Sequence, residues 1–261
     1  MTYDLNQTPK SLLTRANPKV LKGEKYGYLT GIMHFAPAEL AGFNVCAHSS
    51  AGCRLACLNT SGHGGMGLDA DGLNTVQVAR IRRTRYWRKN RNDFNAMLER
   101  EIRNLIKRAK RDGLTPAIRL NGTSDLPWER LKHAAYPNLM RAFPDVQFYD
   151  YTKWPVDERG ERSTGNLPTN YHLTFSLSES NDVQAAAALE AGYNVAVVID
   201  GVLPETWAGY PVLDGDVSDI RFNDTGGHIV GLRAKGDGIG DTSGFVRPVD
   251  GILRLDVATV G

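Results

Sequence analysis

Residues 171–200, YHLTFSLSESNDVQAAAALEAGYNVAVVID, place a helical segment between two apolar segments. The second apolar segment, YNVAVVID (193–200), is almost continuously apolar, which is typical of a strand buried on both faces of a parallel sheet. Between the two, NDVQAAAALEAG (181–192) starts with an asparagine that can cap a helix and ends with a glycine that can stop it. This stretch therefore predicts a right-handed βαβ unit.

The same alternation extends on both sides of this unit. Strands are predicted at 26–37, 115–125, 146–155, 210–222 and 227–236, and helices at 74–90, 92–113 and 127–143. Strands that alternate with helices indicate an α/β fold with a parallel sheet. We therefore predict a single-domain, partial (β/α) barrel with parallel strands at residues 27–261, preceded by an irregular arm at residues 1–26. A doubly wound open sheet is the alternative.

The composition excludes several classes of protein. Hydrophobic residues make up 41% and charged residues 23% of the chain, and the formal net charge is +2, as in ordinary globular proteins. No apolar run approaches the roughly 18 residues needed to span a bilayer. Residues 1–27 are polar and lack the apolar core of a signal peptide. We expect a cytoplasmic protein without a membrane partner.

All three cysteines of the chain lie in the segment CAHSSAGCRLACLNTSGHGG, residues 46–65. Their spacing is Cys46-x6-Cys53-x3-Cys57, and the glycine and serine content of the segment predicts a loop after the first strand. An odd number of thiols in a reducing compartment argues against disulfides. Three thiolates on one loop, hereafter the cysteine loop (residues 46–57), can converge on one metal centre.

Three interpretations of the cysteine loop remain open. A [4Fe–4S] cluster is normally held by four cysteines, so three would leave one iron open to a ligand. Structural zinc needs a fourth ligand, for which the candidates are His34, His48 and His63. Three unrelated buried cysteines are the remaining possibility. The polar surroundings and the single short Cys53–Cys57 arm favour the cluster.

Polar residues follow most of the predicted strands. In parallel β/α architectures the carboxyl ends of the strands carry the active site, and the cysteine loop would open onto the same edge. The predicted cofactor-binding residues are Asn121, Gly122, Thr123, Ser124 and Ser176, and the predicted catalytic residues are Asp150 and Lys153.

Thirteen Arg or Lys and only three acidic residues lie between Arg80 and Arg111. In a nearly neutral chain this asymmetry favours a localised anionic partner, either a nucleic acid or another phosphate-bearing molecule. Tyr86 and Trp87 are able to stack on bases. The candidate contacts are Arg82, Arg83, Arg85 and Arg88. The alternative is a solvated helix face whose long side chains cover the sheet.

Four motifs carry a resemblance to a known family. They are CAHSSAGCRLACLNTSGHGG (46–65), ARIRRT (79–84), RLNGTSD (119–125) and FPDVQFYDYTK (143–153). Over much of residues 40–155 the chain resembles the phage protein family called gene product 88. The resemblance implies a phage or prophage origin, and hence the cytoplasm of a bacterial host. It implies no particular activity.

The position of the cysteine loop, after the first strand of a predicted β/α barrel, is similar to that in radical S-adenosylmethionine enzymes. That family has the spacing Cys-x3-Cys-x2-Cys with an aromatic residue before the last cysteine, where this chain has Ala56. It also has a Gly-Gly-Glu-Pro-like turn after its second strand, where this chain has residues 121–124. The resemblance implies a [4Fe–4S] cluster, S-adenosylmethionine as cofactor and an external reductant.

Two hypotheses of function follow. In the first, the chain is a radical S-adenosylmethionine-type enzyme whose cluster is held by Cys46, Cys53 and Cys57. In the second, it is a non-catalytic module, stabilised by zinc or an iron–sulfur cluster, that binds nucleic acid through the basic segment. The metal distinguishes the two, because an enzyme needs an open, reducible iron whereas a structural site is closed.

Overall fold

A computed structural model describes residues 3–14, 22–156, 158 and 167–255. Within these residues the strands are β1 (Leu13–Thr14), β2 (Tyr28–Met33), β3 (Thr115–Arg119), β4 (Gln147–Thr152), β5 (Tyr171–Ser176), β6 (Val195–Ile199), β7 (Thr206–Trp207), β8 (Tyr210–Asp214) and β9 (Ile229–Arg233). The α-helices are α1 (Ala51–Leu55), α2 (Thr75–Lys89), α3 (Arg91–Asp112), α4 (Leu139–Ala142) and α5 (Asp182–Glu190). Short 3-10 helices lie at Leu58–Thr60, Gly62–Gly64, Trp128–Arg130, Arg221–Asn223 and Gly236–Gly238. Across the described ranges, no helix has the length and apolarity needed to cross a membrane.

The strands form one mixed sheet in the order β1-β2-β3-β4-β5-β6-β9-β8-β7. Neighbours from β2 to β6, and onward through β9 to β8, are parallel, whereas the end strands β1 and β7 are antiparallel to their partners. The predicted α/β class with mostly parallel strands is confirmed. Because these strands run in one direction, the loops after them share one edge of the sheet, the carboxyl edge.

Helix α3 covers one face of β2 and β3, as its apolar stripe predicts. The stripe is buried and packs in one cluster with both strands, through Phe94, Met97, Leu98, Ile102, Leu105, Leu29, Met33 and Ile118. Gly113 ends the helix at φ 69°, a left-handed conformation that suits glycine. A second cluster joins α5 to β5 and β6. We call the sheet face away from α3 the inner face.

The predicted helix at residues 127–143 is wrong. The structure has a 3-10 turn at Trp128–Arg130 and only the four-residue α4 near the end of the segment. Pro137 interrupts the pattern, because proline lacks the N–H that a helix needs and disfavours a helical conformation in the residue before it. Asn138 then caps α4 with its side chain.

The predicted strand at residues 210–222 ends at Asp214. The segment beyond it packs on the inner face, where the Asp219 carboxylate pairs with Arg119 at 3.1 Å. Phe222 packs edge-on against the Tyr149 ring, with a centroid distance of 5.3 Å. The inner face is therefore filled by a polar and aromatic layer rather than by aliphatic side chains alone.

Part of the predicted irregular arm is ordered on the sheet. Strand β1 pairs with β2, and the N–H groups of Leu12 and Leu13 donate to the buried Glu101 carboxylate on α3 at 2.9 and 2.8 Å. The carboxylate explains how a strand of two residues is held in place. Residues 1–2 and 15–21 of the arm lie outside the described residues.

Candidate functional site

The cysteine loop lies at the carboxyl edge of the sheet, after β2. Cys46 precedes helix α1, Cys53 lies within it, and Cys57 follows it. The Ser50 hydroxyl caps α1 by accepting a hydrogen bond from the Cys53 N–H at 3.2 Å. The three thiols are not in disulfides, and each is partly buried. The short helix therefore sets the spacing between two of the three thiols.

A carboxylate from the loop after β5 anchors the cysteine loop. The Glu179 oxygens accept hydrogen bonds from the Ser50 hydroxyl and the Gly52 N–H, both at 2.6 Å. A Cβ on Gly52 would lie 2.2 Å from the Ser243 hydroxyl oxygen, so only glycine permits this approach. Glu179 is one of the polar residues that follow a predicted strand, but its contact with the cysteine loop was not predicted, because no local pattern indicates a contact between positions 129 residues apart.

The predicted cofactor-binding turn at residues 121–124 packs directly behind Cys46. The Cys46 thiol donates to the Thr123 carbonyl oxygen at 3.9 Å and accepts a hydrogen bond from the Ala38 N–H at 3.3 Å. A Cβ on Gly122 would lie 2.6 Å from a main-chain oxygen of β2. Gly122 therefore allows the turn and the end of β2 to meet behind the thiol.

The side chains of Asn121 and Ser124 in this turn are occupied by other groups of the protein. The Asn121 Oδ1 accepts hydrogen bonds from the Ser124 hydroxyl, the Leu126 N–H and the Trp128 indole, and its Nδ2 donates to Asp150. Asn121 is 2% and Ser124 8% exposed. An amide with this many partners has little capacity left for a cofactor. The geometry therefore favours a structural role for both residues.

The two predicted catalytic residues lie on opposite faces of the sheet, since side chains alternate along a strand. Asp150, 1% exposed, accepts hydrogen bonds from the Asn121 N–H at 2.7 Å and the Tyr171 hydroxyl at 2.8 Å. Lys153 donates from Nζ to the Ser176 hydroxyl at 2.8 Å. The structure thus brings Lys153 and Ser176 together at the carboxyl edge and places Asp150 elsewhere.

The three thiols lie within electrostatic range of one another. Burial is the main cause that raises the pKa of Cys46 to about 12, against the Ala38 N–H, which lowers it, and with smaller contributions from Asp125 and the thiols of Cys57 and Cys53. Burial also raises the pKa of Cys57, although the cations of Lys153 and Arg80 act in the opposite direction. Cys46 and Cys57 are therefore protonated at neutral pH in the metal-free chain, and metal binding must release their protons.

This burial predicts slow alkylation of Cys46 in the metal-free protein. Because the thiolate is the nucleophile, the rate with iodoacetamide should rise about tenfold per pH unit from pH 7 to pH 10. Mass spectrometry of the Cys46 peptide measures the rate, with N-acetylcysteine as the exposed reference and circular dichroism to verify the fold. A Cys46 rate that levels off near pH 9 would contradict the raised pKa.

A single-ion site is not preformed around the thiols. Among the described residues, no three His, Cys, Asp or Glu side chains are grouped to hold one metal ion. Zinc would draw its sulfurs to about 3.8 Å from one another, since the Zn–S bond is about 2.3 Å. His48, a predicted fourth ligand, pairs instead with Glu158 at 3.4 Å and packs on Trp154, and His63 is exposed. A [4Fe–4S] cluster does not require the three sulfurs to lie this close together, because its cysteines bind different irons.

An open cleft of about 490 Å³ reaches Cys57 from solvent. Its wall consists of Pro37, Ala38, Glu39, Leu40, Arg54, Cys57, Asn59, Thr60 and Asp237. The volume lies in the range of small-molecule sites. Of the three thiols, Cys57 is the one on this wall, whereas Cys46 faces the turn at residues 121–124.

The site lies within the part of the chain that matches a known family. The model of the family described as gene product 88 matches residues 11–248 of the chain. The chain belongs to the phage gene product 88 family. The matched range includes the cysteine loop, the turn behind it, Lys153 and Ser176. No curated protein and no solved structure matches the chain. The predicted family is thus confirmed, whereas the looser resemblance to radical S-adenosylmethionine enzymes is not shown.

In this gene product 88 protein, much of the basic charge on α2 is used internally. Three of the four predicted nucleic-acid contacts donate to main-chain oxygens: Arg82 to Asp4, Arg83 to Ser11 and Arg85 to Ala41. Arg88 is exposed. Most other exposed cations of the segment lie on α3: Arg100, Arg103, Lys107, Arg108, Lys110 and Arg111. Nucleic-acid binding stays a prediction, and α3 is its better-placed surface.

Proposed function

We propose that Cys46, Cys53 and Cys57 hold a [4Fe–4S] cluster with one open iron, in an enzyme related to the radical S-adenosylmethionine enzymes. One observation carries the proposal: all three thiols of the chain lie on one anchored loop at the carboxyl edge, within electrostatic range of one another. Three thiolates bind three irons and leave the fourth for a ligand.

The charges around the cysteine loop support this proposal. Three thiolates bring negative charge into a partly buried site, and such charge needs nearby cations. The cations of Lys153 and Arg80 offset part of the rise that burial causes in the pKa of Cys57, and so favour its thiolate. Lys153 approaches from the end of β4, whereas Arg80 approaches from α2 and also donates to the Asn59 carbonyl. Cations from two separate elements therefore act on the same thiol.

The cleft gives the open iron a route to solvent. Cys46 faces the turn at residues 121–124 and Cys57 lies on the cleft wall, so a ligand would approach from the side of Cys57. S-adenosylmethionine is the proposed ligand, since an open iron can bind its amino and carboxylate groups. Lys153 and Ser176 are the polar groups best placed to contact a bound substrate, because they lie at neighbouring strand ends.

We also propose that the sheet curves as a partial barrel. Thr60, just after the cysteine loop, donates to Asp237, which follows β9. In the strand order, β2 and β9 are five steps apart. In a flat sheet they would be about 24 Å apart, since neighbouring strands are spaced about 4.8 Å. Curvature would shorten this span and place the cysteine loop over the mouth of the barrel.

Anaerobic reconstitution with ferrous iron and sulfide tests the cluster. We expect brown protein with about four irons and four sulfides per chain. Adding S-adenosylmethionine should change the electron paramagnetic resonance spectrum of the dithionite-reduced cluster. Colourless protein with one equivalent of zinc would overturn the cluster and favour the metal-stabilised nucleic-acid module. Brown protein with an unchanged spectrum would show that the fourth iron is closed, and the radical S-adenosylmethionine assignment would be wrong.

A further inference from the structure

The cleft at Cys57 carries both signs of charge on its wall. Arg54 is exposed, and its Nε donates to the Ser49 hydroxyl at 3.0 Å. Its terminal nitrogens have no partner within the described part of the chain. Glu39 is exposed, and Asp237 accepts a hydrogen bond from the Thr60 hydroxyl through one oxygen. The wall therefore offers one guanidinium and two carboxylates to a ligand.

The remaining polar group of the wall is occupied. Asn59 is 4% exposed, its amide donates to Gln77 at 2.8 Å, and its side-chain oxygen accepts from Arg80. Asn59 thus shapes the cleft without being open to a ligand. Recognition is left to the charged groups.

The wall also has an apolar part. Leu40 lines the cleft and is 55% exposed. Pro37 and Ala38 add to the apolar part of the wall. Neighbouring exposed apolar side chains at a concave surface mark a site for an apolar group.

We infer that this cleft binds a small zwitterion with an apolar side chain, such as an α-amino acid or an amino-acid conjugate. A ligand of one sign would be attracted by some wall groups and repelled by others, whereas a zwitterion pairs its carboxylate with Arg54 and its ammonium with Glu39 and Asp237. Its apolar part would cover Leu40. Such a ligand would lie beside the open iron of the proposed function, and to that extent the inference rests on it.

Calorimetric titration with three matched probes tests the inference. L-norleucine carries both charges, pentylamine lacks the carboxylate, and hexanoate lacks the ammonium. Norleucine should bind about tenfold more tightly than either analogue, because each loses one charge-assisted contact. Arg54→Gln should weaken norleucine but not pentylamine, and Glu39→Gln should weaken norleucine but not hexanoate. Arg111→Gln, an exposed arginine at the end of α3, should leave all three affinities unchanged.

The titrations are made on both the reconstituted and the metal-free protein, so that cluster and cleft are judged separately. Colour and iron content report the proposed cluster, and the heat of norleucine binding reports the cleft. Norleucine binding to colourless protein would support the cleft while the cluster fails. Brown protein without norleucine binding, or with equal affinity for norleucine and hexanoate, would overturn the zwitterion site. Loss of norleucine binding in Arg111→Gln as well would also overturn it.

Discussion

Replacing any one of Cys46, Cys53 and Cys57 with alanine is expected to abolish the brown colour of the reconstituted protein. The chain has no fourth cysteine to take over as a ligand, so two thiolates would remain where the cluster needs at least three from the protein. Iron content should fall from about four per chain to near zero. Absorbance near 400 nm and iron and sulfide analysis measure the loss.

Leu55→Ala is the matched control for these variants. Leu55 lies between Cys53 and Cys57 on the same loop and is 70% exposed, so its truncation perturbs the loop without removing a ligand. It should keep the full iron content. Thermal unfolding of each metal-free variant separates ligand loss from misfolding. A cysteine variant that retains four irons would remove that residue from the proposed ligand set.

The order of strands and helices could be predicted because the buried positions of a strand or helix recur at a fixed period in the sequence. The apolar stripe from Phe94 to Leu105 is buried on helix α3, as predicted. The apolar run at residues 193–200 contains strand β6, also as predicted. The 127–143 helix fails because an apolar period persists across Pro137, where the backbone cannot follow it. The predicted strand does not continue beyond Asp214. Ile220 is apolar and buried, but it packs on the sheet and does not pair with a neighbouring strand.

The site was only partly predictable, because spacing does not tell which face a side chain occupies. Asp150 and Lys153 are three residues apart, and nothing local shows that Asp150 turns toward Tyr171 and Lys153 toward Ser176. Likewise, the composition shows how many arginines α2 contains. It does not show which main-chain oxygens accept hydrogen bonds from them. The Glu179 anchor depends on two loops meeting in the folded chain.

The buried ion pair on the inner face should be the most sensitive point for stability. Arg119 and Asp219 are both largely buried, and the Arg119 guanidinium also lies over the Tyr151 ring at 4.6 Å. Burial alone would lower the pKa of Arg119, but the Asp219 carboxylate, helped by the tyrosines, raises it instead. The cation is therefore stable there only while its carboxylate partner is present.

Asp219→Ala is expected to destabilise the protein by about 3–5 kcal/mol, because it leaves a buried guanidinium uncompensated. In a chain of this length that corresponds to a fall of roughly 10 °C in Tm. Urea and thermal unfolding measure the change. The double variant Arg119→Met with Asp219→Ala should recover a large part of the loss, since it removes the unpaired charge as well. Arg103→Ala, which breaks the exposed pair with Glu99, should change little. If the single and double variants are equally destabilised, the effect arises from lost packing, and the inner face does not depend on the charge pair.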